Sequence, residues 1–97
     1  MIIVHDTFVC KPGNASKLAK KFKEAMQYQA EMVQVMTDMT GQYNRVIMVS
    51  KYENLTEYEK SWEKYKADSE EMKKMSEIMT GYTDMYLTGS REIYQVW

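Results

Sequence analysis

The sequence has little of several residue types on which common functional sites depend. Among its 97 residues there are one cysteine, Cys10, one histidine, His5, and four glycines. One cysteine excludes an intrachain disulfide and a cysteine-ligated zinc site within one chain, and one histidine leaves no histidine cluster for a metal ion. The sequence also has no glycine-rich phosphate loop and no Gly-x-Ser-x-Gly nucleophile motif. We therefore expect no metal and no other cofactor.

An excess of charge of one sign is lacking as well. Thirteen basic and fourteen acidic residues are interspersed and give a net charge of −1. This balance provides no basic surface for nucleic acid and no cationic face for a membrane. No apolar run approaches the ~20 residues needed to cross a bilayer, and the first residues lack the basic leader of a signal peptide. We expect a cytoplasmic protein that binds neither nucleic acid nor membrane, and the lone cysteine fits a reducing compartment.

The apolar residues that are present suffice for one small domain. Hydrophobic residues make up 44% of the chain, and we expect residues 1–97 to fold as a single domain. A chain of this size buries only about 60 to 65% of its unfolded surface. Its core is therefore thin, and a partner subunit would add to it.

Four stretches have the composition of strands. Runs rich in β-branched residues predict strands over residues 2–9, 33–40 and 45–52. The second and third are expected to form a hairpin. The tail, residues 83–97, predicts a fourth strand with a kink or bulge at Gly89, because glycine inside a strand pattern often marks such an irregularity.

Two helical stretches lie between these strands. Apolar residues at spacings of three and four predict a first helix from residue 15 to residue 28 or 29, and a second over residues 55–66 that continues or restarts near Asp68. The order β-α-β-β-α-β is that of the ferredoxin-like α+β fold. We therefore expect a four-stranded antiparallel sheet with the helices on one face.

Asparagines precede both predicted helices as N-caps. Asn14 precedes the first, and Asn54 precedes the second with Glu57 at the position from which its side chain completes a capping box. The second helix carries one aliphatic and three aromatic side chains on a single stripe, which we expect to bury much area. These residues are Leu55, Tyr58, Trp62 and Tyr65.

Both faces of the first and third strands are apolar. In the third strand Val46 and Met48 alternate with Ile47 and Val49, and the first strand alternates in the same way. Helices cover only one face, and a monomer rarely leaves an apolar face of several hundred Å² in water. We therefore predict a homodimer formed through the sheet faces.

Several short motifs, in their order, resemble those of small dimeric α/β-barrel proteins. The motifs are the Lys11-Pro12-Gly13 turn, the Tyr43-Asn44-Arg45 segment, the aromatic helix with Trp62, and Ser90-Arg91-Glu92-Ile93-Tyr94 before Trp97. The chain is most similar to NIPSNAP-like proteins and is related to the antibiotic-biosynthesis monooxygenases. The resemblance implies a ferredoxin-like protomer, an eight-stranded dimeric barrel and a small-molecule pocket between sheet and helices. It does not imply one activity, because the superfamily includes cofactor-free oxygenases, haem-handling enzymes, isomerases and proteins of no known activity. The haem-degrading relatives use a helical histidine that this sequence lacks, which argues against haem chemistry.

Polar residues of the strands are the first candidates for a functional site. His5 is the sole histidine and the obvious general base, although a hydrogen-bonded strand histidine is the plainer interpretation. Asp6 is its neighbour, but consecutive strand residues point to opposite faces, so the two do not form a dyad. Asn44 and Arg45 are candidates for orienting an enolate or a carboxylate. Otherwise Asn44 completes the turn, and Arg45 is solvated or pairs across the dimer. Tyr94 is a further ligand-binding candidate.

Aromatic residues of the second helix form the other candidate group. Tyr58, Trp62 and Tyr65 are suited to stacking on a flat aromatic ligand, but packing in the core is the simpler interpretation of such a stripe. Arg91 next to Glu92 suggests a rim ion pair. Lys11 beside Cys10 predicts a slightly lowered thiol pKa, in a cysteine that otherwise has no role.

Two classes of function remain open. The first is a cofactor-independent enzyme of the monooxygenase type that acts on a small aromatic or quinol-type molecule, with polar groups stabilising the developing oxyanion. The second is a noncatalytic dimeric module that binds a small ligand or has a regulatory or structural role. The sequence alone does not decide whether the protein is an enzyme.

Overall fold

The strands and helices follow one another in the order that the sequence predicts. The computed structural model describes residues 1–97. The elements are β1 (Ile2–Cys10), α1 (Ala15–Ala25), β2 (Met32–Thr37), β3 (Arg45–Tyr52), α2 (Leu55–Lys66), α3 (Glu70–Ile78) and β4 (Tyr86–Gln95). Short 3₁₀ turns, Met26–Tyr28 and Tyr82–Asp84, follow α1 and precede β4. None of the helices has the length and apolar character that crossing a membrane requires.

The four strands form one antiparallel sheet in the order β2-β3-β1-β4. The long central pair, β1 and β3, is in continuous register from Ile2 opposite Tyr52 to Val9 opposite Arg45. All three helices pack on the same side, the helix face, and the opposite side is called the outer face. This arrangement confirms the predicted ferredoxin-like α+β fold.

Helix α1 is shorter than predicted and begins differently. Its regular part ends at Ala25, and the chain then tightens into the 3₁₀ turn. The side chain of Asn14 makes no capping hydrogen bond, so the prediction of a side-chain cap was wrong here. The backbone of Asn14 is already near helical, with φ −102° and ψ −10°, whereas an N-cap side chain reaches the first turn from the extended region.

Helix α2 begins with the cap that the sequence predicts. Asn54 is extended, and its side-chain oxygen accepts a hydrogen bond from the Glu57 amide at 2.9 Å. The second half of the capping box is absent, because the Glu57 carboxylate lies near Lys60 at 3.4 Å. After the break at Ala67, the chain restarts as α3, where the Ser69 hydroxyl accepts from the Met72 amide at 3.2 Å.

The loop between β2 and β3 is longer than a tight hairpin turn. Strand β2 ends at Thr37, three residues earlier than predicted, and residues 38–44 form the connection. Gly41 and Asn44 both have positive φ, at 98° and 63°. Asp38 closes the loop by accepting a hydrogen bond from the Arg45 amide at 3.0 Å.

The irregularity in β4 does not lie at Gly89. The register between β1 and β4 shifts where Val9 pairs with Thr88 and Cys10 pairs with Tyr86, which leaves Leu87 as the extra residue. The predicted bulge at Gly89 was therefore wrong in position. Gly89 lies opposite Phe8, and a Cβ there would be 3.5 Å from Cδ1 of that ring.

The core lies between α1 and the middle of the sheet. Leu18 and Phe22 of α1 are buried against Cys10 and Val46 of the central strands. A second buried cluster, which comprises Ile2, Val4 and Tyr52, lies at the other end of β1. The helix face is therefore well packed near α1, whereas a cavity remains between the sheet and α2.

Candidate functional site

A cavity of about 370 Å³ separates the sheet from helices α2 and α3. Eighteen residues line it, of which twelve are hydrophobic. This volume and this mostly apolar lining fall in the range of ordinary small-molecule pockets. The floor is the helix face of the sheet, α2 and α3 form one wall, and Phe22 and Ala25 of α1 border the other side.

Helix α2 forms this wall with large side chains that do not become core. No residue of α2 is fully buried, and Trp62 is 40% exposed. Tyr58, Trp62 and Tyr65 follow one another in edge-to-face contact, with ring centroids 6.0 and 6.3 Å apart, and Tyr52 of the sheet extends the row at 5.1 Å from Tyr58. The interpretation of Trp62 as buried core was wrong for the single chain. Leu55, the remaining member of the stripe, is 55% exposed.

One ion pair lies in the cavity wall. Asp6 and Arg91 are direct partners across β1 and β4, and both side chains point to the helix face. The Nε–H of Arg91 donates to Oδ1 of Asp6, and the guanidinium carbon lies 5.0 Å from the ring centroid of Trp62. Partial burial disfavours the charge on Arg91, but the hydrogen bond and proximity to Asp6 outweigh it and raise the pKa of the guanidinium.

The hydroxyl of Tyr58 is a polar group without an acceptor in this cavity. Its oxygen is buried and makes no hydrogen bond. The indole N–H of Trp62 approaches it, but that group only donates, so the tyrosine proton stays unpaired. Burial raises the pKa of Tyr58, while the charge of Arg91 opposes the rise. Tyr58 is therefore a neutral donor at physiological pH.

Tyr65 is more strongly affected than Tyr58. Burial, together with the nearby Tyr52 hydroxyl and the Glu31 carboxylate, raises the pKa of Tyr65 well above its ordinary value. The phenol therefore stays neutral wherever the protein is folded at moderate pH. Tyr65 contributes a ring and a neutral hydroxyl to the wall, and no charge.

Methionines line much of the remaining cavity surface. Met75 is fixed by a hydrogen bond from the Gln29 side-chain amide to its sulfur at 2.8 Å. Flexible, polarisable thioethers adapt to ligands of different outline and make favourable contacts with aromatic rings. The methionines in the lining are Met32, Met48, Met75 and Met79.

Three of the residues proposed from the sequence meet in this cavity, and four do not. Tyr58, Trp62 and Tyr65 line it. His5 lies on the outer face, where its ring is 5.2 Å from that of Tyr94 in an edge-to-face contact. The hydroxyl of Tyr94 donates to the Glu92 carboxylate at 2.9 Å. His5 and Tyr94 thus form a pair on the other side of the sheet from the cavity.

Asn44 and Arg45 lie at the end of the sheet, in the loop that joins β2 and β3. Asn44 adopts the left-handed conformation that completes the turn. Nε of Arg45 lies 3.5 Å from Oδ2 of Asp38 in the same chain, a pairing that the sequence did not predict. Neither residue lines the cavity between the sheet and α2.

Sequence reasoning missed the Asp6–Arg91 pair. The suggested pairing of Arg91 with Glu92 was wrong, because neighbouring strand residues point to opposite faces and Glu92 contacts Tyr94. The alternation of side chains along β1 did indicate that Asp6 is unusual, since it places this carboxylate on the same face as Val4 and Phe8. An acidic residue on the covered face of a strand needs a partner, and only the β1–β4 register identifies it as Arg91.

The remaining candidates form no cluster of metal-ligating side chains. Asp6 is the only carboxylate in the cavity lining, and the chain has no group of three or more potential metal ligands. Cys10 is buried in the α1 core, and burial raises the pKa of its thiol. The expected lowering by Lys11 was therefore wrong, because desolvation disfavours the thiolate.

Comparisons with solved structures find the same fold in several bacterial proteins. A NIPSNAP domain protein from Burkholderia xenovorans has 14% sequence identity and a TM-score of 0.78, over 100% of this chain and 95% of that chain. A NIPSNAP family protein from Agrobacterium tumefaciens has 14% identity and a TM-score of 0.79, over 97% and 90%. A Nitrosomonas europaea protein provisionally named an antibiotic biosynthesis monooxygenase has 10% identity and a TM-score of 0.67, over 99% and 98%. At such identities the likeness establishes the fold and no activity.

Sequence comparison is more specific than the structural likeness. No curated protein matches the chain. The NIPSNAP family model matches residues 5–84, a segment that begins within β1 and includes α1, α2, α3 and the aromatic row, though not Arg91. Because this match covers most of the chain, the protein belongs to the NIPSNAP family.

Proposed function

We propose that this protein binds a small, flat, largely apolar molecule in the cavity between the sheet and α2. The observation that carries the proposal is the Tyr58 hydroxyl, a buried donor without an acceptor in an aromatic-walled cavity. Leaving such a group unpaired costs about 1 to 3 kcal/mol. A ligand oxygen that accepts from Tyr58 would recover much of that cost.

The walls favour an aromatic ligand. Trp62 and Tyr65 offer ring surfaces at the cavity, and the methionines around Met75 adapt to a planar outline. Trp62 is partly exposed at this site, so a ligand that covers its ring gains contact area without displacing a packed core. A phenol or quinol-type molecule meets these requirements, because it combines a flat body with an acceptor oxygen.

Titration with 2-naphthol tests this proposal. The chain has two tryptophans, so Trp97→Phe leaves Trp62 as the only tryptophan whose emission a ligand can quench. We expect saturable quenching, weakened about 2- to 10-fold by Tyr58→Phe, the value of one neutral hydrogen bond. Tyr43→Phe is the matched control, since Tyr43 is 85% exposed and outside the cavity. Absence of saturable binding across a panel of planar aromatics would contradict the proposal.

A second candidate is cofactor-independent oxygenation of such a ligand. It is favoured by the fold shared with proteins named as antibiotic biosynthesis monooxygenases and by the cation of Arg91, which would stabilise an oxyanion formed in the cavity. In this reaction an activated ring CH₂ and one O₂ give a ring ketone and one water. One oxygen atom enters the ring, and the other leaves with both hydrogens. His5 is on the outer face and has no part in this scheme.

Dioxygen consumption with anthrone as substrate distinguishes an enzyme from a binding module. An oxygenase should consume one O₂ per anthrone faster than the uncatalysed reaction. Arg91→Gln should slow the reaction, and His5→Gln should not. Binding without any acceleration would assign the cavity to the noncatalytic function.

We also propose that two copies associate through their outer faces. Ile3 and Ile47 are only partly covered there by neighbouring side chains of the same sheet, and no helix crosses that face. Light scattering at micromolar concentration should give twice the mass of one chain, and Ile47→Lys should reduce this mass or cause aggregation. A mass of one chain for the unsubstituted protein would refute the dimer.

The buried lone cysteine further supports our proposal of a cytoplasmic location.

A further inference from the structure

The N–H donors of Arg91 that make no hydrogen bond indicate which chemical group the proposed ligand carries. We infer that the natural ligand carries one carboxylate, and that the Nη1/Nη2 edge of Arg91 binds it while Asp6 holds the opposite side of the guanidinium. This inference rests on the proposed binding function and adds the acidic group to it. Three observations lead to it.

The first observation is the way in which Arg91 is held. Within the chain only its Nε–H makes a hydrogen bond, to Asp6, and its two terminal nitrogens make none. A guanidinium has five N–H donors in a fixed fork, and the terminal pair matches the two oxygens of a carboxylate. Asp6 therefore fixes the side chain and leaves the bidentate edge unoccupied.

The second observation is the support beneath the guanidinium. Its central carbon lies 5.0 Å from the centroid of the Trp62 ring, so the cation is held over an aromatic face as well as against Asp6. One contact from a strand and one from a helix reduce the freedom of this long side chain, so less of its conformational entropy is lost when a ligand binds.

The third observation is the charge balance. Asp6 and Arg91 are the only charged side chains among the lining residues. The Asp6 side chain is 13% exposed and that of Arg91 45%, so the cation reaches toward solvent and incoming ligands while the anion stays behind it. One free edge on one cation suits a singly charged carboxylate. A phosphate dianion would find no second cation.

Three naphthalene probes distinguish the contribution of an acidic group to the affinity from that of the flat ring system. These are 2-naphthoate, its methyl ester and 2-naphthol, each titrated into the full chain carrying Trp97→Phe. We expect 2-naphthoate to bind about 10- to 100-fold more tightly than the ester, the value of a charge-assisted pair. This preference should shrink as salt is raised, since Arg91 is partly exposed.

Variants assign the preference to Arg91. Arg91→Gln alone leaves the Asp6 carboxylate without its ion-pair partner. The double variant Asp6→Asn with Arg91→Gln is therefore also made, because two amides can keep a hydrogen bond in place of the ion pair. In the double variant we expect the ester and 2-naphthoate to bind equally. Arg45→Gln is the matched control, since Arg45 pairs with Asp38 away from the cavity, and it should keep the preference.

The outcomes distinguish this inference from the proposed function. Equal binding of ester and 2-naphthoate by the unsubstituted cavity would overturn the carboxylate and leave the binding function standing. A preference that survives in the folded double variant would also overturn it, because Arg91 would not be the anchor. Failure of all three probes to bind would overturn the proposed function itself.

Discussion

The two sides of the helix layer pack against the same sheet in different ways. Helix α1 buries Leu18, Phe22 and Ala25 completely enough to form the main core. Helix α2 buries no residue fully, and the space beneath it is the cavity. The two helices occupy equivalent places in the β-α-β-β-α-β order. One half of the fold therefore forms the main core, and the other leaves an open cavity.

The residue sizes on the two helices account for this difference. The inward side of α1 combines Leu18 and Phe22 with alanines, and small residues let a helix approach a sheet closely. The inward side of α2 carries Tyr58, Trp62 and Tyr65, which contact one another edge to face. A row of large rings in mutual contact fills the helix side of the gap without closing it. The cavity is thus a consequence of side-chain shape.

The largest expected effect comes from removing a side chain on the α1 side. Leu18 has 0% exposure and packs against Cys10 and Val46. Leu18→Ala should lower the free energy of unfolding by about 3 to 5 kcal/mol, because it removes buried methyl groups and leaves a cavity. Urea denaturation followed by far-UV circular dichroism measures this loss. A loss below about 1 kcal/mol would mean that α1 does not form the core.

The same kind of truncation on the α2 side should cost much less. Trp62→Ala removes a larger side chain, but one that is 40% exposed, together with its contacts to Tyr58, Tyr65 and Arg91. We expect a loss of about 1 to 2 kcal/mol, against about 3 to 5 kcal/mol for a core aromatic. The same denaturation experiment compares the two variants directly. If Trp62→Ala costs as much as Leu18→Ala, Trp62 is buried in the protein in solution, and a partner subunit or ligand must cover it.

This contrast was only partly predictable from the sequence. Hydrophobic periodicity gave the element order and the bounds of β3 without error, because a short apolar strand between polar residues has few alternatives. The aromatic stripe was found, but Trp62 was assigned to the core, since spacing says which side chains share a face and not how closely that face approaches the sheet. Asp6 and Arg91 were missed as a pair because they are 85 positions apart, and their contact depends on the register between the first and last strands.

A smaller comparison concerns the first turns of the two helices. The Asn54 side chain accepts a hydrogen bond from the Glu57 amide, whereas the Asn14 side chain makes no cap bond. Asn54→Ala should therefore cost about 1 kcal/mol, and Asn14→Ala only a few tenths. Thermal unfolding of both variants in one buffer measures the difference. Equal losses would indicate that Asn14 caps α1 in solution or that Asn54 does not cap α2.

The smallest expected effect is a pH dependence of the free energy of unfolding, which arises from Tyr65 in the cavity wall. Burial raises the pKa of Tyr65 above the ordinary value of 10.0, so the unfolded chain loses this proton at a lower pH than the folded one. Above pH ~10 the folded state then binds more protons than the unfolded state, and stability falls as pH rises. Below that pH the stabilising effect is fully present. Tyr65→Phe removes this titration, so its stability should fall less steeply between pH 9 and about 11 than that of the unsubstituted protein. Tyr43→Phe controls for the loss of a tyrosine hydroxyl on an exposed ring. Urea denaturation at several pH values in this range measures the slope of stability against pH. If both variants have the same slope as the unsubstituted chain, Tyr65 is accessible to water. The wall of the cavity is then more open than the contacts of Tyr65 with Trp62 and Tyr52 indicate.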